Sequence, residues 1–557
     1  MQNPIQFKSH NQLLFVIAIV FLFLIFWNIA VVDFCFAVNV FPTSKVFLTA
    51  VFLSMLSCYF LCSKYFIIDW KVVAIGLISA GAIFILAKNK CEKYYDVSWD
   101  GQAYHLEAIV KMIEGWNPIQ QYLDNSVKAE NIYINHYPRG TWFSALSLYM
   151  FSGEIESVKT FNYLWMVIAW FLSVVVLNQF FKINFFLALI IGLVAATNPV
   201  SIYQSQSNYI DGQIAAGILV FILLAILIFF TQQNGAIILL AVAIAVLVNY
   251  KFSMPFYFIV LLMGIGLIFW QYKNLPAIRR LFIASVIGFG FGIMVLGFSP
   301  YMSNLINYHN PIYPLADETK KEISKGIENA IAPVSFPEMN RFERLFQSTF
   351  SKSIWSQTPL NNVFKIPGTF GSDEIMNYAV ADGSMAGLGP YFSLAISICL
   401  LLIPLFYFFD RKIFYSLIIA ITIIFLSVFI TRIGWLARYA PQLYLICVMV
   451  VVAFFLLKKK WCYFIGSICL LLLLKNDYAI SEIYYFHQKI FTRELNTRLN
   501  ELAQRDDTVK VFFTPFNSNR IRFKEKEIKF REVKSIEELK TDSPKYIPWL
   551  FNRAATD

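Results

Sequence analysis

Residues 11–32 read NQLLFVIAIVFLFLIFWNIAVV, a run of 22 positions without a single charged side chain. About 20 apolar residues in a helix are enough to cross the hydrocarbon core of a bilayer. No cleavage site of the A-x-A type follows the run. We therefore interpret it as a first membrane span, or a signal anchor, rather than a signal peptide that is removed.

Apolar runs of this kind recur from end to end, and they predict an all-α polytopic membrane protein with about 13 transmembrane helices. The predicted spans are 12–32, 46–63, 71–87, 160–181, 184–200, 213–231, 235–250, 254–271, 281–299, 390–409, 412–431, 440–457 and 461–474. The runs at 235–250 and 461–474 are short for a crossing helix. The composition agrees, because only 15% of the residues are charged, whereas soluble proteins carry about 25%.

The formal charge of +11 raises the question of a nucleic-acid partner. The basic residues are spread through short loops and the C-terminal tail, where membrane topology requires them, so no nucleic-acid role is expected. The eight cysteines form neither a disulfide framework nor a zinc-binding spacing, because most of them lie inside apolar runs.

The charge of the short loops sets the expected orientation. With the N-terminus inside, the inside loops carry Lys64 and Lys71, then Lys182, then Lys273, Arg279 and Arg280, then Arg411 and Lys412, and finally Lys458, Lys459 and Lys460. Because basic residues concentrate in cytoplasmic loops, we expect the polar segments 88–159 and 300–389 to be extracytoplasmic. The tail is also expected outside if the run 461–474 crosses the membrane, and in the cytoplasm if it does not. No Asn-x-Ser/Thr sequon occurs in the outer loops, which favours a bacterial plasma membrane.

The C-terminal tail has the pattern of a folded unit. Leucines at helical spacing predict a helix over 494–505, and 509–513 has the composition of a short strand. The partly alternating segment 521–533 favours a hairpin, and a capping-box pattern at 535–538 favours a last helix. The predicted division is a transmembrane domain, 1–474, followed by a small α/β soluble domain, 475–557.

The densest polar cluster of the chain follows the third predicted span and reads YYDVSWDGQAYH at 94–105. Apolar residues at helical spacing after Gly101 predict a short helix that Gly115 and Pro118 end. Asp100 would lie at the N-terminal end of this helix, near the level of the lipid headgroups. A carboxylate there can act as a general base or help to hold a divalent cation against a phosphate. It can equally serve only as a helix cap.

A second acid and several basic side chains also lie in the predicted outer connections. Asp211 begins a span, and ionisable residues at a membrane edge are functional candidates, although a helix cap is again sufficient. Lys251 lies outside against the positive-inside trend, which favours a phosphate partner as much as simple snorkelling. His136 and Arg139 have the chemistry to bind a phosphate, or they belong to an interfacial belt of aromatic and basic residues.

The last outer connection carries Arg432 and Arg438, which need anionic partners, either carboxylates or a lipid phosphate. The long segment 300–389 ends in a stretch that is rich in glycine, with Gly368, Gly371, Gly383, Gly387 and Gly389. Such a stretch favours either a mobile lid over a site or a poorly ordered loop. The chain has no dinucleotide-binding, Walker or HExxH motif.

Four segments together resemble the GT-C superfamily of polytopic membrane glycosyltransferases. In chain order they are SWDGQAYH at 98–105, NYID at 208–211, PY at 300–301 with NPIYP at 310–314, and ARY at 437–439. The resemblance covers about 88–445 and depends on the order and shared sidedness of the motifs. The chain departs from the simplest pattern, because its key loop follows the third predicted span, whereas many members have it after the first.

The resemblance implies transfer of a sugar from a polyprenyl-phosphate carrier to a glycan, lipid or protein acceptor on the extracytoplasmic face, usually with inversion. Asp100 would be the general base or a metal-proximal acid, and Asp211 would be the second-loop acid. Positive charge facing the carrier phosphate would stabilise the leaving group. The substrate-binding candidates are His105, His136, Arg139, Lys251, Arg438 and Tyr439. A divalent cation, Mg²⁺ or Mn²⁺, stays open, because Asp96 and Asp100 do not form a tight Asp-x-Asp pair.

Two other functions compete with this interpretation. A surface-polysaccharide polymerase or ligase would depend on Arg139, Arg432 and Arg438 more than on Asp100 and Asp211. A transporter or lipid flippase would require ionisable residues in the middle of spans and internally repeated halves. The sequence shows few such charges and no clear repeat, so the transporter ranks last.

Overall fold

The computed structural model describes residues 7–125, 130–315, 332–333, 335–353, 364–382, 385–539, 545–547, 549–550 and 552–556. This part of the chain is mostly helical, as the sequence predicts. Gly383 of the glycine-rich stretch lies outside the described residues, and the lid function of that stretch stays a prediction.

Helices occur along the whole described chain, and short strands occur only near the C-terminus. The first helices are α1 (Ser9–Ala37), α2 (Ser44–Leu61), α3 (Trp70–Cys91), α4 (Leu106–Ile113), α5 (Asn131–His136), α6 (Gly140–Ser152), α7 (Thr160–Val175), α8 (Phe185–Ala196), α9 (Pro199–Tyr203), α10 (Asp211–Thr231) and α11 (Asn234–Val248). The remaining helices are α12 (Met254–Gln271), α13 (Leu275–Phe291), α14 (Ser303–Tyr308), α15 (Arg341–Phe350), α16 (Ile375–Ala379), α17 (Phe392–Phe409), α18 (Arg411–Val428), α19 (Tyr444–Leu456), α20 (Lys460–Ala503) and α21 (Arg520–Glu525). The strands are β1 (Val509–Phe512), β2 (Phe530–Glu532), β3 (Lys545–Ile547) and β4 (Asn552–Thr556).

Ten helices within the described ranges are long and apolar enough to cross a membrane, which makes the chain a helical multi-pass membrane protein. They are Ser9–Ala37, Ser44–Phe66, Trp70–Cys91, Ile155–Phe180, Asp211–Thr231, Met254–Gln271, Leu275–Leu296, Phe392–Phe409, Arg411–Val428 and Lys460–Ala503. Three further predicted spans coincide with shorter apolar helices, Phe185–Ala196, Asn234–Val248 and Pro441–Leu456. The number of about 13 crossings therefore stays a prediction.

The candidate spans form an inner and an outer layer. In the most apolar 18-residue stretch of α1 and of α10, 78% of the residues are buried inside the protein. In the corresponding stretch of α3, only 22% are buried. An apolar helix that is buried on all sides belongs to the interior. The large exposed side chains of α3, such as Ile78 and Leu86, therefore face outward, where lipid is the expected neighbour.

The polar loop after α3 folds largely as its pattern predicts. A π-helical turn, Gly101–His105, leads into α4, and the helix is followed by Gly115 with a φ of +101°. A positive φ costs glycine little, so this residue ends the helix as expected. Every residue of α4 except Lys111 and Ile113 is buried, so α4 is a packed element of the fold rather than a helix lying free at the membrane surface.

The tail begins differently from the prediction. Helix α20 is 44 residues long and passes through the predicted domain boundary at 474/475 without a break. The four strands form one sheet with the order β2-β1-β4-β3, in which β1 and β2 are parallel and the other two pairs are antiparallel. The hairpin predicted at 521–533 is wrong, because this segment contains α21 and β2, and a helical connection allows parallel pairing.

The short 3₁₀ turn Ile536–Leu539 stands where the capping-box pattern predicts a last helix. The strand predicted at 509–513 is present as β1, and the leucines predicted to line a helix over 494–505 lie in the last turns of α20. These leucines pack with β1 and α21 in a small hydrophobic core. The tail is thus a folded α/β unit at the end of a long membrane helix.

The tail docks onto the segment between α3 and α7 through two buried arginines, Arg522 and Arg520, and Arg520 pairs with Glu107 and Glu114. The Arg522 guanidinium forms an ion pair with Glu156 at 2.6 Å and donates to the backbone carbonyl of Asp96 at 2.8 Å. The Arg522 side chain is 1% exposed. A buried charge is tolerated only when it is paired and hydrogen-bonded, so this contact holds the tail and the loop in one fixed arrangement.

We expect the substitution Arg522→Ala to raise the rate at which the tail is released, although Arg520 still pairs with Glu107 and Glu114. The variant leaves Glu156 buried with only Lys159 as a cation, and breaking a buried pair costs about 3–5 kcal/mol. Limited proteolysis of the membrane-embedded protein, followed by detection of the tail fragment, measures the release. The control is Arg505→Ala, which removes an exposed partner of Asp507. Equal cleavage rates in the two variants would contradict the docking role of Arg522.

Candidate functional site

Two ion pairs bring together the four charged residues that the sequence singles out in different loops. Arg438 Nη1 lies 2.9 Å from Asp100 Oδ2, and Lys251 Nζ lies 2.5 Å from Asp211 Oδ1. Asp100 follows α3, Asp211 begins α10, Lys251 connects α11 to α12, and Arg438 connects α18 to α19. The Asp100–Arg438 pair therefore joins helix ends that are 338 positions apart in the chain, whereas the Asp211–Lys251 pair joins ends that are 40 positions apart.

The ring of Tyr439 connects the two pairs. Lys251 Nζ lies 3.9 Å from the centre of this ring, and the Arg438 guanidinium carbon lies 5.2 Å from it. The Arg438 guanidinium also stacks over Tyr209 at 5.1 Å. Cations are attracted to the faces of aromatic rings, so the two cations and the two rings form one cluster rather than separate contacts.

Neither Asp100 nor Asp211 caps a helix with its side chain, so capping does not account for the two carboxylates. Asp100 precedes the turn Gly101–His105, but its side chain makes no capping hydrogen bond there. Asp211 is the first residue of α10, and its carboxylate accepts from Lys251 and from Gln204 at 3.4 Å. Both carboxylates are thus committed to side chains from other parts of the chain.

Asp96 has a structural role in holding this geometry. Its fully buried carboxylate accepts from Ser98 N at 2.9 Å and Ser98 Oγ at 2.6 Å, and from Asn208 N at 2.7 Å. Burial raises the pKa of Asp96 above its ordinary value, although these donors oppose the shift. Asp96 thus connects the loop of Asp100 to the turn that precedes Asp211. A side chain at Gly101 would collide with Asp96 and Ser98, which explains the glycine.

The structure adds two residues that the sequence analysis did not assign to the site. The Tyr209 hydroxyl accepts from the backbone N–H of Asp100 at 3.2 Å and donates to Asp382. Burial and the negative charge of Asp100 raise the pKa of Asp382 to about 6. Asp382 belongs to the long segment 300–389, for which the sequence favours either a lid or a poorly ordered loop. The one sequence feature that could have pointed to Asp382 is that it is an acidic residue in a predicted outer loop.

His105 lies beside the cluster but is not open to it. Its Nδ1 accepts from Trp142 Nε1 at 2.9 Å, and the side chain is almost fully buried. Burial lowers the pKa of His105 to about 4, although Asp100 and Asp211 oppose that shift. His105 is therefore neutral at physiological pH, with its proton on Nε2, because Nδ1 is an acceptor.

His136 and Arg139 have other partners. His136 Nδ1 lies 2.9 Å from Asn304 Oδ1, and Arg139 donates to Ser299 Oγ at 2.5 Å and to the Asn135 carbonyl. None of their described hydrogen bonds reaches the two ion pairs. They fasten the loop before α6 to the segment around α14, and a phosphate-binding role for them stays a prediction.

The four charged side chains are not arranged as a metal site. Among the described residues, no group of three or more His, Cys, Asp or Glu side chains could hold a metal ion. Arg438 and Lys251 already neutralise the carboxylates that would have to bind Mg²⁺ or Mn²⁺. No chemical step is assigned to a divalent cation, and metal dependence stays a prediction.

The raised pKa of Asp382 predicts a pH-dependent stability. A carboxyl group that binds its proton more tightly in the folded state stabilises the protein fully below about pH 4, its unfolded pKa, and this contribution is lost as the pH rises through about 6. Asp382→Asn stays neutral at every pH. We therefore expect the Tm of the wild type to fall by a few degrees relative to Asp382→Asn between pH 4 and pH 7.

Thermal unfolding in a buffer series checks this expectation, with Asp373→Asn as the control. Asp373 is an exposed carboxylate paired with Lys352, which lowers its pKa, so its removal has a small effect of the opposite sign. A constant difference between the wild type and Asp382→Asn across the series would show that Asp382 does not titrate in this range.

No protein-family model matches the chain, and no curated protein is significantly similar to it.

Proposed function

We propose that the chain is a membrane glycosyltransferase that moves a sugar from a polyprenyl-phosphate carrier to an acceptor hydroxyl on the extracytoplasmic face of a plasma membrane. The observation that carries this proposal is the meeting of Asp100, Asp211, Lys251 and Arg438 in two linked ion pairs. A carboxylate for the acceptor and cations for a phosphate are the groups that this reaction needs.

The two carboxylates differ in exposure, and we assign them different roles. The Asp100 side chain is 25% exposed, whereas that of Asp211 is 4% exposed. Only Asp100 is accessible enough to accept a proton from an incoming hydroxyl. Asp211 is a positioning residue that fixes Lys251, since a buried carboxylate with two donors has little freedom to move.

Arg438 and Lys251 are the candidate phosphate ligands. The buried Nε of Arg438 has no hydrogen-bond partner among the described residues. A buried donor without a partner is costly, so a phosphate oxygen would satisfy it. Arginine also binds phosphate through two donors at once. In the free protein Asp100 and Asp211 compensate the two charges, and a bound phosphate would take over part of that compensation.

The reaction then proceeds as a single displacement. The acceptor oxygen forms a bond to the anomeric carbon while the bond from that carbon to the carrier phosphate oxygen breaks. The acceptor proton passes to Asp100, and the electron pair of the broken bond stays on the phosphate, where Arg438 and Lys251 stabilise the added charge. Attack from the face opposite to the leaving phosphate gives inversion at that carbon.

The polymerase or ligase alternative has less support. It depends on Arg139, Arg432 and Arg438 acting together. Arg139 is buried with Ser299 and Asn135, and Arg432 is exposed. Of these three arginines, only Arg438 forms an ion pair with a carboxylate within the described residues. The transporter alternative gains no support either, because the charged cluster lies at helix ends rather than in the middle of spans.

The test is a turnover assay with purified protein, polyprenyl-phosphate sugars and an acceptor mixture, in which released polyprenyl phosphate is measured. We expect Asp100→Asn to lower kcat about 10²–10⁴-fold, because a general base contributes that much. Arg438→Gln should lower it about 10²–10³-fold through the loss of charge stabilisation. Asp211→Asn should act mainly on KM, because it frees Lys251.

Asp507→Asn provides the matched control, since Asp507 is an exposed tail carboxylate paired with Arg505. Wild-type turnover in both Asp100→Asn and Arg438→Gln would refute the site assignment. Loss of turnover in Arg139→Gln and Arg432→Gln, with Asp100→Asn unaffected, would instead favour the polymerase or ligase.

A further inference from the structure

A basic groove lies outside the charged cluster, between the end of α3 and the exposed part of α20. Its volume is about 390 Å³. Lys93, Lys489 and Arg493 supply three positive charges, and none of them forms an ion pair within the described parts of the chain. The remaining lining residues are Tyr94, Thr492, Asn496, Thr497 and Asn500, so no acidic side chain lines the groove.

The polar neutral side chains of the groove are arranged as donors. Thr492 Oγ1 accepts from the backbone N–H of Tyr95 at 3.2 Å, and Asn496 Oδ1 accepts from the Tyr95 hydroxyl at 2.9 Å. Because Tyr95 occupies these two acceptor atoms, the Thr492 hydroxyl proton and the Asn496 amide protons are left to donate. Three positively charged side chains together with these hydrogen-bond donors make the groove suitable for binding an anion.

The neighbouring carboxylates do not neutralise the groove. Glu92 precedes Lys93 but pairs with Lys88 at 2.5 Å. Glu494 follows Arg493 but accepts from Trp549 Nε1 at 2.7 Å. Both acids therefore have partners outside the groove, and the positive charges of Lys93, Lys489 and Arg493 are not neutralised by them.

The position of the groove brings it close to the membrane surface. Helix α3 ends at Cys91, two residues before Lys93, after a length sufficient to cross the hydrocarbon core. Lys90 lies in the last turn of α3, and its Nζ is 4.1 Å from the centre of the Tyr485 ring on α20. That part of α20 is therefore at the level of the last turn of α3. Lys489 is one turn above Tyr485.

We propose that this groove binds a phosphate ester whose remainder carries hydroxyl groups. The three cations would hold the phosphate, and the donors of Thr492 and Asn496 would hold further oxygens. A groove of about 390 Å³ exceeds what a single phosphate fills, so the hydroxyl-bearing remainder is part of the proposal. The source is either a lipid headgroup or a soluble phosphate ester. This site is separate from the proposed transferase site and does not depend on it.

The experiment uses the full-length protein in neutral detergent and two probes. Glycerol 3-phosphate tests the soluble source. Phosphatidylglycerol in mixed micelles, compared with phosphatidylcholine alone, tests the lipid source. Binding is measured by native mass spectrometry and by the shift in Tm. We expect Lys489→Gln with Arg493→Gln to weaken binding about 10- to 30-fold, since each basic residue near a phosphate headgroup contributes about a factor of five.

The control is Arg498→Gln on the same helix, because Arg498 pairs with Glu501 and does not line the groove. Retention of phosphatidylglycerol that falls only in the double variant supports the lipid source, and the same pattern for glycerol 3-phosphate supports the soluble source. Equal binding of both probes by the wild type, the double variant and Arg498→Gln would overturn the proposal. Lys489 and Arg493 are exposed and Arg498 is half-buried, and Gln keeps much of the length of each side chain, so folding should be unaffected.

Discussion

Neutralisation of charge at the helix ends is the constraint on which the rest of the structure depends. A carboxylate that leaves water loses several kcal/mol of solvation unless a cation compensates it. Asp211 is compensated by Lys251, which lies 40 positions further along the chain, and Asp100 by Arg438, which lies 338 positions further along. The ends of α3, α10, α12 and α19 are therefore held in one place by electrostatics as well as by the apolar packing beneath them.

A second set of buried charges extends this arrangement to the tail. Glu156 is shared by Lys159 and Arg522, and Arg522 also binds the backbone of Asp96. Asp96 in turn holds Asn208, which lies in the turn that leads into α10. The tail therefore contacts the same loop that carries Asp100, and the position of Asp100 depends on residues more than 400 positions further along the chain.

The sequence predicted the apolar helices well because length and hydropathy are local properties. It also selected Asp100, Asp211, Lys251 and Arg438, because they lie in predicted outer connections, where an ionisable residue at the membrane edge is a functional candidate. It could not pair them, since which cation meets which acid depends on helix packing. Asp382 was missed for the same reason, because only its contact with Tyr209 distinguishes it from other loop acids. The parallel pairing of β1 and β2 likewise depends on contacts that no local pattern encodes.

The continuity of helix α20 limits which insertions and substitutions the chain can accept in this segment. Its 44 residues extend over about 66 Å, so it is long enough to cross a bilayer and to continue as one helix to the tail. One inserted residue would turn everything beyond it by about 100° and raise it by about 1.5 Å. Arg522 would then no longer face Glu156. The segment between the membrane and the tail thus tolerates substitutions on its exposed face but not a change in length, whereas insertions in a surface loop usually cost little.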